Sequence, residues 1–304
     1  MIKSWFIFLN VIFIFPIYPH TTIFEPKPLS LGNFALSAAL MPSPLFSVGQ
    51  NIIDQGDVLT YLNPVTLRGK NNKKFFYNEI YTLVGITEFS SLFILFPVPV
   101  INQENGLRTS GLGDIIVQSE YAFYNKSDYH SANQATAIAT IYLPSGILEP
   151  VRSGFSQHAP FTGFGSPAFF VGGTWSRVTY DWYSFISGGE LITTQHDGNK
   201  VGNSTLYQAG IGRNLKYYDD KILMGMVEFN GISFEKDKLM GHIDHDSGGT
   251  TMYVGPSLYL STPNTIFQMG FQIPFYQKLN GNQAKTSFVI SISLAWLMRH
   301  EKEE

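Results

Sequence analysis

The segment at positions 265–277, TIFQMGFQIPFYQ, alternates apolar side chains with glutamine or glycine. Successive side chains of an extended strand point to opposite faces, so a strand would separate the two sets, whereas a helix would mix them. The apolar set is Phe267, Met269, Phe271, Ile273 and Phe275, and the polar set is Gln268, Gly270 and Gln272. The pattern predicts a strand whose apolar face meets either the core of a soluble sandwich or a lipid bilayer.

The same kind of segment recurs along the chain. From residue 58 onward, extended segments are bounded by Gly, Pro, Asn or Asp, and no internal stretch keeps a helical period. Most are about nine to eleven residues long or longer, the length with which a tilted strand crosses an outer membrane, and two are shorter. The twelve segments are 58–68, 75–85, 91–97, 114–124, 135–142, 166–176, 179–190, 205–215, 222–234, 250–261, 265–275 and 287–297.

The connections between these segments alternate in length. If the chain ends in the periplasm, the short connections GITEFS, SRVT, KYYDD and STPN are periplasmic, and the longer connections around residues 101–113, 144–165, 193–204 and 235–249 are external. This alternation is typical of bacterial outer-membrane barrels. One connection, NKSDYHSANQ, is longer than a periplasmic turn should be.

These patterns predict an all-β fold, a transmembrane up-and-down antiparallel β-barrel of about twelve strands over residues 58–298. A closed barrel pairs every backbone group that hydrocarbon would leave without a partner. The apolar set of the opening segment would then face lipid, and Gln268 and Gln272 a wet interior. Aromatic side chains near the segment ends would form the interfacial girdles, namely Tyr124, Trp175, Trp182, Tyr276 and Trp296.

Composition agrees with an amphipathic membrane protein. Charged residues make up 14% of the 304 residues and aromatic residues 15%, with a mean hydropathy near zero. The formal charge of -3 shows no basic excess, so no nucleic-acid partner is predicted. The absence of cysteine excludes disulfides and Cys-based metal sites.

The chain begins with MIKSWFIFLNVIFIFPIYPH, in which a lysine precedes a short apolar run. This pattern is typical of an export signal, with an uncleaved anchor as the alternative, and we assign residues 1–22 to a signal peptide. Residues 23–57 form an N-terminal extension that could plug the lumen, and residues 299–304 form a charged tail. The predicted location is the outer membrane of a Gram-negative bacterium, with outer-membrane lipid and the barrel-assembly machinery as partners.

The order of several motifs resembles the outer-membrane barrels of the meta-pathway phenol-degradation family, also described as transporters. The most specific motifs are GLGD at 111–114 and LPSG at 143–146, followed by TGFGSPAFFVGGTWSR, MVEFNG and YVGPSLYLSTPNTIFQMGFQIPFYQKLNGNQ. The resemblance covers most of the chain from about residue 75 and implies a barrel of about a dozen strands. The aromatic catabolism in the family's name has no residue here to support it and is not carried over.

Several polar residues within the predicted strands are candidates for lining the lumen. They are Glu79, Gln118, Glu120, Gln208, Glu228, Gln268 and Gln272. In a pore, inward carboxylates would tune the selectivity for ions or solutes. Alternatively, these side chains form an internal network that fills the lumen, with Arg68, Arg177 and Arg213 as partners if they point inward.

The sequence GHIDHDSGG holds the densest group of metal-ligand types, namely His242, Asp244, His245 and Asp246. The alternative is a solvated loop of turn-forming residues. His245 and Ser247 also fit the His-x-Ser pair of outer-membrane phospholipases, but the first downstream asparagine, Asn264, belongs to the opposite rim. No cofactor is predicted.

The predicted function is a passive channel or transporter for small solutes, hydrophobic ones included, without enzymatic activity. A structural or adhesive surface barrel with a plugged lumen is the alternative, followed by an outer-membrane hydrolase.

Overall fold

The computed structural model describes residues 40, 43–49, 51–104, 107–128, 130–146, 162–217 and 220–299. The signal-peptide prediction lies outside these residues, as do all but the first residue of the predicted tail. The described strands are β1 (Val58–Gly69), β2 (Lys74–Thr87), β3 (Ser90–Glu104), β4 (Leu107–Gly111), β5 (Ile115–Ser127), β6 (Ser131–Leu143), β7 (Ala168–Thr179), β8 (Trp182–Thr193), β9 (Ser204–Tyr217), β10 (Ile222–Phe234), β11 (Lys238–Leu239), β12 (His242–Ile243), β13 (Gly249–Ser261), β14 (Thr265–Leu279) and β15 (Thr286–Met298).

The strands close into one ring. Each wall strand pairs antiparallel with its neighbours along the chain, and β1 pairs with both β2 and β15. The main sheet has thirteen strands, but β4 pairs only with the far half of β3 and continues towards β5, which leaves twelve wall strands. The predicted twelve-stranded antiparallel barrel is confirmed. None of the described residues form a helix long and apolar enough to cross a membrane.

The two ends of the barrel differ. At the end where β1 begins and β15 ends, which we call the turn end, the connections 88–89, 128–130, 180–181, 218–221 and 262–264 are all short. The opposite end, which we call the loop end, carries the long connections 144–167, 194–203 and 235–248, the last of which contains β11 and β12.

Several predicted strand bounds are wrong by three residues or more, and those of β6 and β3 have an identifiable cause. β6 begins at Ser131 rather than at 135, because the ladder between β5 and β6 continues through polar residues and reduces the suspected long turn to 128–130. β3 runs to Glu104 rather than ending at 97. Its two internal prolines, Pro97 and Pro99, lie where its partner changes from β5 to β4, a gap in which a residue without a backbone donor is tolerated.

The outer surface is an apolar belt, to which every wall strand contributes at least one exposed large apolar side chain. On β14, Phe271 is 42% exposed and its neighbour Gln272 only 3%, as the alternation predicts. Exposed aromatic residues near strand ends include all five of the predicted girdle, Tyr124, Trp175, Trp182, Tyr276 and Trp296. A closed ring with such a surface is a transmembrane barrel.

The interior of the turn-end half is a packed core. One cluster joins Leu40, Ile53, Leu59, Tyr61, Leu83, Ile266, Ala295 and Leu297, and a second joins Ala132, Val178, Tyr183, Phe185, Ile222, Met224, Met226 and Tyr259. Leu40 and Ile53 precede the first wall strand, so part of the N-terminal extension lies inside the barrel.

Candidate functional site in the lumen

Residues 43–49 and 51–57, which we call the inner segment, run inside the ring. Next to them, the Leu40 N–H donates to the carbonyl of Thr262 at the turn end, 3.1 Å away. The segment then reaches mid-barrel and returns to the turn end, where the Gly56 N–H donates to the Gly85 carbonyl at 2.9 Å. The turn-end half of the lumen is therefore occupied by part of the chain's own N-terminal extension.

Glu228 of β10 is the main anchor of the inner segment. Its carboxylate is 0% exposed and accepts the backbone N–H groups of Leu45 at 3.2 Å and Phe46 at 3.0 Å, as well as the Ser47 hydroxyl at 2.9 Å. Two wall residues of β13 complete its shell, the hydroxyls of Ser257 at 2.9 Å and Tyr259 at 3.0 Å. One side chain thus fastens the segment to the wall.

Glu120 of β5 is a second anchor on the opposite side of the ring. Its carboxylate, also 0% exposed, accepts the backbone N–H of Asn51 at 2.9 Å and the Asn51 side-chain amide at 2.8 Å. The amide of Gln118 donates to it at 2.7 Å, and the Gln118 carbonyl accepts the Thr140 hydroxyl at 2.9 Å.

Two further predicted lumen residues contact the inner segment directly. The side-chain carbonyl of Gln208 accepts the backbone N–H of Val48 at 2.8 Å. The side-chain amide of Gln268 donates to the Ser43 carbonyl at 2.9 Å. The inner segment is thus held by hydrogen bonds from several wall strands.

The predicted arginine partners do not reach these carboxylates. Arg68, Arg177 and Arg213 are exposed, and the Arg213 guanidinium lies 5.4 Å from the ring centroid of Trp182, which is exposed on the belt. The buried acids are stabilised by N–H and O–H donors instead, which is an established way of keeping a carboxylate inside a protein.

A cavity of about 540 Å³ remains in the loop-end half of the lumen. The inner segment forms its floor from Ser43 to Gly49 and with Asn51. Glu79 lines its wall and accepts the side-chain amide of Asn63 at 2.7 Å. Gln272 lines it as well, but its amide nitrogen is buried and has no hydrogen-bond partner in the described part of the chain.

The structure therefore divides the predicted lumen residues into two groups. Gln118, Glu120, Gln208, Glu228 and Gln268 belong to the network that holds the inner segment, and Glu79 and Gln272 border the cavity without contacting that segment through a described hydrogen bond. No sequence pattern pointed to Ser47 and Asn51, because a short polar residue in a proline-containing extension carries no periodicity.

The motifs that carried the family resemblance meet at the loop end. The Asp114 carboxylate accepts the N–H of Gly146 at 2.8 Å and the N–H of Phe164 at 2.7 Å. Gly146 and Gly163 are required here, because a Cβ at either would clash with the opposing glycine or with Asp114. The Phe164 ring also contacts Tyr142 edge-on, with centroids 5.5 Å apart, and Tyr142 lines the cavity. The motifs thus fix one wall of the cavity.

The candidate metal and hydrolase residues lie in the connection that contains β11 and β12. The described residues include no group of three or more His, Cys, Asp or Glu side chains that could share a metal ion, and this holds for His242, Asp244, His245 and Asp246. The Ser247 hydroxyl donates to the Asp244 carbonyl at 2.8 Å and accepts the Asp237 N–H at 2.7 Å, so it stabilises a turn. His245 instead contacts the Lys236 ammonium, with 3.1 Å between Nδ1 and Nζ.

A larger hollow of about 740 Å³ lies on the outside of the wall. Small residues such as Gly225 and Gly270 form its bottom between apolar side chains of the belt, including Val227, Leu258 and Phe271. It faces the bilayer rather than the lumen.

Comparison with known proteins finds similarity in fold only. No model of a known protein family matches the chain. No curated protein matches it either. The chain is similar to an outer-membrane channel from Pseudomonas putida F1, with 12% identity and a TM-score of 0.60 over 81% of this chain and 97% of that one.

Two other solved structures have lower scores. The NanC porin has 10% identity and a TM-score of 0.46, covering 78% of this chain and 98% of its own. The monoaromatic hydrocarbon channel CymD has 12% identity and a TM-score of 0.34, covering 82% and 90%. The likeness to the P. putida channel shows that this chain shares the architecture of an outer-membrane barrel.

Proposed function

We propose that this protein is a passive channel or transporter for small solutes, hydrophobic ones included, in the outer membrane of a Gram-negative bacterium. The observation that carries the proposal is the cavity of about 540 Å³ inside a closed ring, above a floor that hydrogen bonds and side-chain packing hold in place. The P. putida protein of the same fold is named an outer-membrane channel.

The inner segment is the gate of this channel. It closes the turn-end half of the lumen, so a solute in the cavity reaches the periplasm only if residues 43–49 and 51 leave their place. Their contacts with Glu228, Glu120 and Gln208 are side-chain hydrogen bonds to single chain positions and not a strand ladder. Such contacts can be exchanged for water without opening the wall.

A reversible crosslink tests the gate. The Ser47 hydroxyl lies 2.8 Å from the Asn230 side-chain oxygen, and the chain has no cysteine, so the double variant Ser47→Cys, Asn230→Cys has one defined pair. We expect the oxidised variant to carry no current in a planar bilayer and the reduced variant to conduct, once mass spectrometry has verified the crosslink. The control pair is Ser233→Cys, Thr250→Cys, two wall residues whose hydroxyls are 3.0 Å apart. Equal currents in the oxidised and reduced Ser47 variant would contradict gating by this segment.

A structural or adhesive barrel is the second candidate. The observation that favours it is the packed turn-end half, where Leu40 and Ile53 belong to the same apolar cluster as the wall. A barrel that stays silent at every voltage, even after deletion of residues 43–51, would support this candidate and contradict the channel.

We also propose the finer assignments that rest on sequence patterns. These are the signal peptide at 1–22, the extension at 23–57, the barrel at 58–298, the tail at 299–304, insertion by the barrel-assembly machinery, and membership of the meta-pathway phenol-degradation family. The meeting of the GLGD, LPSG and TGFG motifs around Asp114 supports the family assignment. N-terminal sequencing of protein from isolated outer membranes tests both the location and the cleavage site.

A further inference from the structure

The charged groups of the cavity in the loop-end half are all negative in the described part of its lining. Among the described residues that line it, Glu79 is an acid, and none is Lys, Arg or His. Two more carboxylates, Glu120 and Glu228, lie beside its floor and are also without a basic partner in the contacts described above. The field inside this cavity therefore favours positive charge and opposes anions.

Among the described residues, Glu79 has one hydrogen-bond partner. Asn63 donates one hydrogen bond to Oε2, whereas Glu228 accepts five and Glu120 three. Unlike those two acids, Glu79 is not fully buried, so its carboxylate is within reach of a molecule in the cavity. A carboxylate in such a place is stabilised by an added cation.

Aromatic side chains line the same wall of the cavity as Glu79. Tyr77 and Tyr81 lie two residues before and after Glu79 and face the cavity from the same strand. Phe75 is 5.2 Å from Tyr77, and Phe93 is 4.8 Å from Tyr81, as measured between ring centroids. Tyr faces attract organic cations, and flat rings bind apolar groups.

From this combination we infer that the cavity binds a small organic cation that carries an apolar group, such as an arylalkylammonium ion. Glu79 pairs with the ammonium group, and the rings of Phe75, Tyr77, Tyr81 and Phe93 contact the apolar part. The inference rests on the proposed channel function and specifies which solutes that channel prefers. Anions of the same size are disfavoured, because the described lining offers them no positive charge.

Three probes of equal size and different charge test the inference. They are benzylamine, which is a cation at neutral pH, benzyl alcohol and benzoate, each titrated calorimetrically into the full chain in detergent. We expect benzylamine to bind about tenfold more tightly than benzyl alcohol, the scale of one desolvated cation–π or charge contact, and benzoate to bind least. Benzoate binding as tight as that of benzylamine would overturn the inference.

Glu79→Gln identifies the group responsible. The variant should lose the preference for benzylamine while its affinity for benzyl alcohol changes by less than about twofold, because the substitution keeps the shape of the side chain. Glu190→Gln is the matched control. This substitution removes the same charge from a position on β8 that shares its face with the exposed Ile186 and Ile192. An unchanged preference in Glu79→Gln would overturn the assignment to Glu79. If that variant does not fold, the relative affinities of the three probes for the wild type still decide whether the cavity prefers a cation.

Conductance separates this inference from the channel proposal. Current through the wild type without a preference for benzylamine would leave the channel intact and contradict the cation site. Selective binding of benzylamine, with no current through the wild type, the reduced cysteine variant or the chain without residues 43–51, would support the site and contradict the channel.

Discussion

Glu228 shows how one residue combines burial with function. It lies between Val227 and Phe229, which are exposed on the belt, so a strand pattern alone places it inside. Its carboxylate is kept there by five hydrogen bonds, three from the inner segment and two from the wall. Losing them would leave a buried charge without partners, so the segment and the acid stabilise each other.

We therefore expect Glu228→Ala to release the inner segment. Each hydrogen bond to a charged group contributes about 1.5–3 kcal/mol, so the open population should rise at least about tenfold. The measurement is the rate at which a maleimide labels a cysteine introduced by Ser47→Cys, compared with and without Glu228→Ala. Glu190→Gln in the same background is the control, and equal labelling rates in all three proteins would mean that Glu228 is not the anchor.

Asp128 is a residue-scale case at the turn end, outside the wall strands. The N–H groups of His130 and Ser131 each donate to its carboxylate at 2.7 Å, and these bonds lower the pKa of Asp128 below its ordinary value. A lowered folded-state pKa means that this turn is stabilised above the ordinary pKa, and that the contribution is lost as the pH falls through the lowered pKa. Carbon NMR of labelled aspartate should give a midpoint below that of an unstructured peptide. A midpoint at or above the peptide's would show that the turn is open in solution.

At the scale of elements, the outward and inward faces of a strand have different physical demands. On β14, Phe267 to Phe275 meet lipid at alternate positions, whereas Gln268 holds the inner segment. The connections are held differently. The Asp114 carboxylate accepts hydrogen bonds from Gly146, which follows β6, and from Phe164, which precedes β7. In the wall strands, the bilayer determines which side chains face outward. In the loop-end segments, specific side-chain contacts determine the path of the chain.

Charge on the outward face of β14 should be costly in a depth-dependent way. Phe271 lies at the middle of the strand and Phe275 nearer the loop end. We expect Phe271→Arg to lower the free energy of unfolding from lipid vesicles by about 2–4 kcal/mol, and Phe275→Arg by about 0–1 kcal/mol. Urea titrations of vesicle-inserted protein measure both. Equal costs at the two positions would contradict the membrane placement of this strand.

At the scale of the whole molecule, the barrel has a closed half and an open half. The turn-end half is filled by two apolar clusters and the inner segment, and the loop-end half keeps the cavity. The ring itself does not need the inner segment for closure, because β1 to β15 pair without it. Closure of the strand ring and occlusion of the lumen therefore depend on different parts of the chain.

Deletion of residues 43–51 tests that separation. We expect the shortened chain to insert as a barrel that resists denaturation by SDS without heating, because its ladders are intact. In planar bilayers it should conduct more than the wild type, because the cavity loses its floor. The full chain carrying Glu190→Gln, a change on the outer face of β8, is the control and should conduct like the wild type. An unfolded product would show that the inner segment is part of the core that closes the ring.

The sequence by itself determined the number of wall strands, which side chains of β14 face lipid, and which end of the barrel has short turns. Those features follow from local alternation and from turn residues, which each strand repeats along its length. Even so, the strand β3 was predicted to end at Pro97, although it continues beyond it. A proline is tolerated at this position only because the partner of β3 changes there from β5 to β4.

Only the tertiary structure decided how the lumen is filled. The contact between Leu45 and Glu228 joins residues 183 positions apart, and no periodicity in either segment encodes it. The same holds for the meeting of Asp114 with Phe164, 50 positions apart. Alternation fixes the face on which a side chain lies, but its partners across the ring are set by closure and by the path of the inner segment.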